Sequence, residues 1–222
     1  LLFAFLCLAG YLGSSVESAE SVVKKATGID RIHLATDRNG IVPGESITVG
    51  LVLSPLPGYH TYWRGPGIVG VATQMEWDLP MGFHPGTMEW PTPEKTDMAG
   101  ITANGYRSEA VLLTRIECPK EISDAEVTLR VRCAWMACAD SCHPGIQDFE
   151  LRLPVVSADH PDLSDPKWSH HFSKLRENAP RPMPENWSAS VSRTAPDRIE
   201  LNLQVPSPHW KNRPEINFFC DD

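Results

Sequence analysis

Two cysteines close a short loop in this chain. Cys138 and Cys142 are separated by three residues and are followed by His143, Pro144 and Gly145, a sequence typical of a turn. Thiols at this spacing can form a disulfide, and because the enclosed loop is small, the loop entropy contributes only about 2 kcal/mol. In short-range thiol exchange centres, one thiolate attacks a partner disulfide and the other resolves the mixed disulfide. The spacing therefore favours a redox function.

The same cysteines are compatible with three other chemistries. They could form a static disulfide in an interaction domain that has no redox role. Two soft thiolates followed by a histidine also suit Cu(I), so a copper-binding module is a second alternative. Covalent haem attachment is a third, but it requires two residues between the cysteines, and three intervene here. Because no motif places a further soft ligand near the pair, the sequence predicts no metal ion and no cofactor.

Two neighbours of the pair are candidate modulators of its reactivity. Asp140 lies between the cysteines, where a carboxylate would raise the thiol pKa or relay a proton. His143 directly follows Cys142, and a protonated imidazole would lower the pKa of that thiol. Each residue also has a simpler interpretation as a solvated turn residue.

The remaining cysteines are predicted not to pair with Cys138 or Cys142. Cys133 shares an alternating strand face with apolar neighbours, as a small buried hydrophobic residue would. An antiparallel hairpin through residues 120–124 would place Cys118 roughly 20 Å from Cys133, too far for a disulfide. No pairing is assigned to Cys220, which lies near the C-terminal end of the sequence.

The charge of the chain excludes one class of partner. The 222 residues include 28 acidic and 20 basic residues, which gives a net charge of −8, and no extended cluster of Lys or Arg occurs. A protein that binds nucleic acid presents a basic surface to the phosphates, so we expect no nucleic-acid partner. The length suits one large domain, or one domain and part of another.

The N-terminal segment predicts export from the cytoplasm. Residues 1–12 are apolar, and small and polar residues follow up to about residue 20. This run is too short to span a membrane but fits the hydrophobic part and cleavage region of a secretory signal peptide. We therefore assign residues 1–20 to a partial signal peptide. Its removal takes Cys7 and leaves five cysteines, so at least one thiol stays unpaired in an oxidising compartment.

Short runs of alternating apolar and polar residues extend from about residue 31 to residue 156. This period of two is typical of antiparallel strands, and the absence of a 3.6-residue period disfavours a thioredoxin fold. We predict an all-β fold, an immunoglobulin-like antiparallel sandwich, over residues 28–156. The clearest predicted strand face comprises Val127, Leu129, Val131, Cys133 and Trp135.

Residues 83–104 interrupt this pattern with a long segment rich in Pro, Gly, Thr and Met. A long aperiodic loop in a compact domain is usually functional, and a reactive dithiol needs protection from nonspecific oxidation. We therefore predict a loop that caps the cysteine pair, with Trp90 or Met98 as the apolar shield. The simpler alternative is a surface excursion in which Trp90 packs on the sandwich edge.

The region beyond the sandwich is predicted to contain a helix and two strands. Residues 157–186 are assigned to a linker with a short helix over residues 166–177. The apolar residues on one side of this helix are Trp168, Phe172 and Leu175. Alternation resumes near residue 199, and because two strands do not make an independent sheet, residues 187–222 are predicted to start a second β domain that is truncated here.

Four motifs follow one another along the predicted sandwich. They are GYHTYWRGPG at residues 58–67, MEWDLPMGF at 75–83, WPTP at 90–93, and Cys138 to Cys142 with Pro144. As an ordered set they resemble the N-terminal periplasmic domain of the DsbD thiol:disulfide interchange family, over about residues 32–156. The three-residue spacing of the cysteines is similar to that of the suppressor-of-copper-sensitivity branch of the family.

The resemblance implies a periplasmic domain that is part of a protein-disulfide reductase system. Such a domain receives electrons from a transmembrane relay, in the same or another polypeptide, and passes them to thioredoxin-like or disulfide-isomerase proteins. The family pattern assigns Cys142 to the sulfur that links to the partner and Cys138 to the resolving step. It also places a cap loop in the stretch that contains Trp90 and Met98.

Overall fold

Most of the chain forms antiparallel strands. The computed structural model describes residues 19–160, 163–179, 183–206 and 219. Within these residues the elements, in chain order, are β1 (Lys24–Ala26), β2 (Ile29–Thr36), β3 (Ser46–Pro55), β4 (Thr61–Tyr62), β5 (Gln74–Asp78), β6 (His84–Glu89), β7 (Glu94–Met98), β8 (Ile101–Tyr106), β9 (Ala110–Glu117), β10 (Glu126–Cys138), β11 (Cys142–Pro154), α1 (Pro166–Glu177), β12 (Ser188–Ala195) and β13 (Arg198–Gln204).

Two sheets pack face to face and form the predicted sandwich. One sheet has the strand order β1-β2-β3-β9-β6, and the other has the order β11-β10-β5. Inward-facing apolar side chains from both sheets share one core, which includes Leu34, Leu51, Leu112, Leu129 and Leu151. Burial of these side chains supplies the main driving force for the fold. The predicted all-β, immunoglobulin-like sandwich is confirmed.

Strands β10 and β11 show how the alternation of the sequence produces this packing. The predicted inward face of β10 is buried from Val127 to Trp135. Its outward arginines pair with carboxylates on β11: Arg130 Nε donates to Glu150 at 3.0 Å, and Arg132 Nε donates to Asp148 at 2.8 Å. The register continues without a break to the last pair of the hairpin, where two cysteines face each other.

The antiparallel hairpin through residues 120–124, from which the separation of Cys118 and Cys133 was derived, does not form. Strand β9 pairs with β3 and β6 in the first sheet, whereas β10 pairs with β11 and β5 in the second. The connecting segment crosses between the sheets, and Ile122 within it packs against the core. Cys118 and Cys133 are both free thiols. The prediction that they do not bridge is confirmed, although the geometry that was used to derive it is not the observed one.

Helix α1 forms as predicted and lies on the outer face of the first sheet. Asp165 caps its N-terminus by accepting a hydrogen bond from Trp168 N at 2.8 Å, and a proline occupies the first turn, where a missing backbone N–H costs nothing. Trp168 and Phe172 are buried. With Leu175 at the margin, they pack against Ala35, Val52, Val111 and Leu113. The helix therefore explains why both faces of β3 are buried.

Residues 83–104 do not form the aperiodic loop that the sequence predicts. They fold into β6, β7 and β8: β6 joins the first sheet, and β7 and β8 form a small sheet with β4 in the order β4-β8-β7. Both faces of β6 are largely exposed, and β7 has one buried residue, Thr96. An alternating hydrophobic pattern arises when one face of a strand is buried. Strands that are solvated on both faces therefore cannot be predicted from such a pattern.

Strands β12 and β13 pair as an antiparallel hairpin after the helix, and nearly all of their residues are exposed. The assignment of residues 187–222 to a second β domain stays a prediction. Residues 1–18 of the predicted signal segment lie outside the described residues, and so do Cys7 and Cys220.

Candidate functional site

Cys138 and Cys142 are the closing residue pair of the β10–β11 hairpin. They are directly opposite each other in the register, their Cα atoms are 4.1 Å apart, and their sulfurs form a disulfide. The loop between them has three residues and is closed by a hydrogen bond in which Ala139 N donates to Ser141 O at 3.0 Å. The two ordered strands thus place both sulfurs at one end of the sandwich.

The two sulfurs differ in their access to solvent. Cys138 is 0% exposed. Its backbone pairs with that of His60 through two hydrogen bonds: Cys138 N donates to His60 O at 3.0 Å, and His60 N donates to Cys138 O at 2.9 Å. Cys142 is half-buried. A partner molecule that approaches the disulfide from solvent therefore meets Cys142.

An apolar cluster surrounds the disulfide. Tyr62, Ala103 and Cys138 are its buried members, and the half-buried residues packed against them are Val69, Met98, Met136 and Cys142. Gly70 brings a loop onto the Tyr62 ring: its φ is +93°, and a Cβ there would lie 2.1 Å from Tyr62 Cε1. Burial raises the pKa of Tyr62, so its hydroxyl is neutral at physiological pH.

Met98 covers one side of the pair. Its Sδ lies 3.7 Å from Cys142 Sγ, and because a disulfide sulfur carries no hydrogen, this is a van der Waals contact. Met98 ends β7 and pairs with Ile101 across a two-residue turn. Both turn residues, Ala99 and Gly100, have positive φ values, 52° and 83°, as a type I′ hairpin turn requires. We call residues 94–106, which comprise β7, the turn and β8, the cap hairpin.

The structure separates the two residues that the sequence proposed as shields. Met98 contacts the pair, whereas Trp90 packs in another cluster with Trp63, Tyr106 and Ala110. Trp90 therefore lies on the sandwich edge, which is the simpler alternative that the sequence offered for this residue.

The two candidate modulators lie in and beside the three-residue loop. Asp140 is exposed, and His143 is half-buried. His143 Nε2 lies 3.0 Å from Ser141 Oγ, and its ring centroid is 5.9 Å from that of Tyr59. The structure thus brings both residues close to the disulfide, and their effect on its chemistry stays a prediction.

Sequence reasoning gave no role to His60 or Tyr62, although both lie within the first quoted motif. Their rings meet edge to face with centroids 5.0 Å apart. His60 is buried, burial lowers its pKa, and within the described structure neither His60 Nε2 nor the Tyr62 hydroxyl has a hydrogen-bond partner. The signal for them was the motif itself, and the pairing of His60 with Cys138 brings it to the cysteine segment.

The free thiols Cys118 and Cys133 are expected to stay unmodified in the native protein. Burial raises the pKa of Cys133 to about 12 and that of Cys118 to about 11. At pH 8 only about one Cys133 in 10⁴ is then a thiolate, and the thiolate is the reactive form. Iodoacetamide, with the products measured by peptide mass spectrometry, should modify Cys133 only after denaturation. As the pH rises, the labelling rate of Cys118 should increase before that of Cys133. Native labelling of Cys133 at the rate of a reduced Cys142 would contradict this.

No group of three or more His, Cys, Asp and Glu side chains is placed to hold a metal ion in the described part of the chain. Likewise, no helix there has both the length and the apolar character of a membrane span.

Comparison with known proteins identifies the family. Residues 34–154, more than half of the chain, match the family described as thiol:disulfide interchange protein DsbD, N-terminal. The chain belongs to this family. The resemblance that the four motifs indicated is therefore confirmed, and residues 34–154 form a DsbD-type thiol:disulfide interchange domain. No curated protein matches the sequence.

One solved structure supports the fold, and a second matches with a lower TM-score. The N-terminal periplasmic domain of ScsB from Proteus mirabilis superposes with a TM-score of 0.56 at 19% identity, over 78% of this chain and 64% of that domain. The chain thus spans about two thirds of the length of the ScsB domain. The reduced N-terminal domain of DsbD from Neisseria meningitidis matches with a TM-score of 0.37 at 13% identity, over 59% of this chain and 92% of that domain.

Proposed function

We propose that this DsbD-family domain is a periplasmic dithiol carrier that passes electrons to disulfides of partner proteins through Cys138 and Cys142. The observation that carries the proposal is a disulfide at the end of the sandwich with one buried and one accessible sulfur. The partner class is a thioredoxin-like or disulfide-isomerase protein, and a transmembrane relay, in the same or another polypeptide, reduces the pair again.

The proposed step transfers two electrons. In the reduced domain, the Cys142 thiolate attacks a partner disulfide, forms a mixed disulfide and releases one partner sulfur as a thiolate. Cys138 then loses its proton, attacks Cys142 Sγ and releases the second partner sulfur. The domain ends with the Cys138–Cys142 disulfide, and the partner ends as a dithiol. The difference in exposure supports Cys142 as the attacking sulfur.

Exposed apolar side chains near the pair support a protein as the partner. Ile68 is 88% exposed and Val71 is 48% exposed, on either side of Val69, which packs in the disulfide cluster. Ile101 is 40% exposed and pairs with Met98 in the cap hairpin. Apolar groups exposed around a reactive site are typical of protein docking surfaces.

The predicted compartment and domain limits fit this proposal. The apolar segment at residues 1–20 has the features of a signal peptide, and the matching ScsB domain is described as periplasmic. The redox domain is proposed to span residues 28–156, with residues 157–186 as the linker that carries α1. Residues 187–222 then begin a second β domain.

A glutathione redox titration tests the proposal. Alkylation and mass spectrometry should show Cys138 and Cys142 changing together between dithiol and disulfide, at a potential above about −300 mV. Cys118 and Cys133 should stay reduced throughout. A midpoint below about −300 mV is the range of structural disulfides and would support a non-redox interaction domain instead.

The cap hairpin is proposed to slow nonspecific attack on the pair through Met98. Met98→Ala should accelerate reduction of the disulfide by glutathione severalfold, because the contact with Cys142 Sγ is lost. Trp90→Ala should leave this rate unchanged, since Trp90 packs in a different cluster. The measurement is the stopped-flow rate with thermal unfolding as the folding control. Acceleration by Trp90→Ala in a folded protein would contradict the assignment.

A copper-binding module is the second candidate, and one observation favours it. Met98 places a thioether beside the cysteines, so the reduced pair gains a third soft donor of the kind that Cu(I) prefers. Cu(I) titration of the reduced domain against a strong chelator tests this. Stoichiometric copper that survives competition, and that Met98→Leu and His143→Ala both weaken, would favour copper over electron transfer.

A further inference from the structure

Met98 combines an oxidisable sulfur with a position over the reactive pair. Its Sδ lies 3.7 Å from Cys142 Sγ, and the side chain is half-buried at the tip of the cap hairpin. The next two residues, Ala99 and Gly100, are exposed, so a small oxidant can reach the thioether from the turn. The chain offers matched references, because Met81 is 97% exposed and Met183 is 51% exposed, and neither belongs to the cluster around the disulfide.

We propose that Met98 is a modification site at which oxidation to methionine sulfoxide opens the cap over the Cys138–Cys142 pair. This inference rests on the proposed function, because it gives the dithiol carrier a response to oxidants. The oxidant is a two-electron oxygen donor such as hydrogen peroxide. One peroxide oxygen is transferred to Sδ as the O–O bond breaks, and the other leaves as water, so that the sulfur is oxidised, the peroxide is reduced and no cysteine is consumed.

The physical basis is the change in polarity of the side chain. The thioether packs against an apolar cluster formed by Tyr62, Ala103 and Cys138, whereas a sulfoxide carries a strong hydrogen-bond acceptor. Burial of a polar group without a partner costs about 1–3 kcal/mol on the scale of protein mutations. The sulfoxide therefore favours conformations in which residue 98 is solvated and Cys142 is uncovered.

The position of the cap hairpin makes this movement small. Strand β7 is the edge strand of the β4-β8-β7 sheet, and most of its residues are exposed. Its tip is a two-residue turn, so residue 98 can leave the cluster while the pairing between Thr96 and Ala103 is kept. The edge of a small sheet opens locally at a lower free energy than a core strand does.

The experiment begins with the disulfide form of the protein, in which hydrogen peroxide cannot oxidise Cys138 or Cys142 to sulfenic acids. Peptide mass spectrometry then measures sulfoxide at each methionine, and stopped-flow measurements give the rate of disulfide reduction by dithiothreitol before and after treatment. Sulfoxide at Met98 should accompany a severalfold faster reduction. Treatment with methionine sulfoxide reductase and its thiol reductant, followed by removal of the reductant and reoxidation of the pair, should restore the original rate. Met98→Leu should remove the acceleration, and the control Met81→Leu should retain it.

Two results would overturn the proposal. The first is sulfoxide at Met81 and Met183 with none at Met98. The second is full conversion of Met98 with an unchanged rate, which would follow if the unpartnered Tyr62 hydroxyl held the sulfoxide inside the cluster. Dithiothreitol reduces structural and exchanging disulfides alike, so this test is independent of the glutathione titration that decides the proposed function.

Discussion

Cys138→Ser should hold the domain as a mixed disulfide through Cys142, and Cys142→Ser should abolish rapid exchange. The reason is the difference in exposure, since Cys138 is completely buried and Cys142 is half-buried. The reduced proteins are mixed with 5,5′-dithiobis(2-nitrobenzoate). The Cys138→Ser variant should retain the aromatic thiol on Cys142, whereas the unmodified domain should release it and form the internal disulfide. Cys142→Ser should react at least about tenfold more slowly, because thiol reactivity follows access and thiolate character.

Cys118→Ser is the matched control for both variants, because it makes the same substitution at a free thiol. Cys118 does not belong to the cluster around the disulfide, so its replacement should leave the release and closure of the internal disulfide unchanged. An adduct on residue 138 of the Cys142→Ser variant that forms as fast as the adduct on Cys142 would reverse the assigned roles of the two sulfurs.

Phe172→Ala should lower the free energy of unfolding by about 3–5 kcal/mol, the range for truncating a buried aromatic residue. Phe172 is 1% exposed, and its ring rests on the first sheet so closely that a Cβ at Gly50 would lie 2.9 Å from Phe172 Cζ. Urea denaturation followed by far-ultraviolet circular dichroism measures the change. The control is Ser173→Ala, at the exposed neighbouring position of the same helix, which should alter stability by less than about 0.5 kcal/mol.

The unfolding measurement on Phe172→Ala also decides whether α1 is an integral part of the domain. The sequence assigns the helix to a linker, whereas the structure packs it on the outer face of the sandwich. A loss below about 1 kcal/mol for Phe172→Ala would mean that the helix is detached in solution, because a solvated ring contributes little packing energy. A large loss would make α1 an integral part of the fold.

The local features of this protein are determined by its sequence alone. Alternation along β10 and β11 identified the inward face that includes Val131 and Cys133, because burial of one sheet face imposes a period of two. The amphipathic pattern identified α1 with its bounds, since an aspartate cap and a proline in the first turn define where a helix begins. The ordered set of four motifs, which ends with the segment of Cys138 and Cys142, identified the DsbD family. Each of these signals lies within a short stretch of chain.

The tertiary structure decided everything that depends on pairing between distant segments. Two strands in sequence, β9 and β10, belong to different sheets, because side-chain periodicity specifies a strand but not its neighbour. Strands β6 and β7 lack an alternating pattern because solvent covers most of both faces, and β8 lacks one because four consecutive residues, 103–106, are buried. Packing alone selected Met98 over Trp90 as the residue beside the disulfide. It likewise placed His60, 78 residues away in the sequence, against Cys138, since only the folded chain brings these two backbone segments within hydrogen-bonding distance.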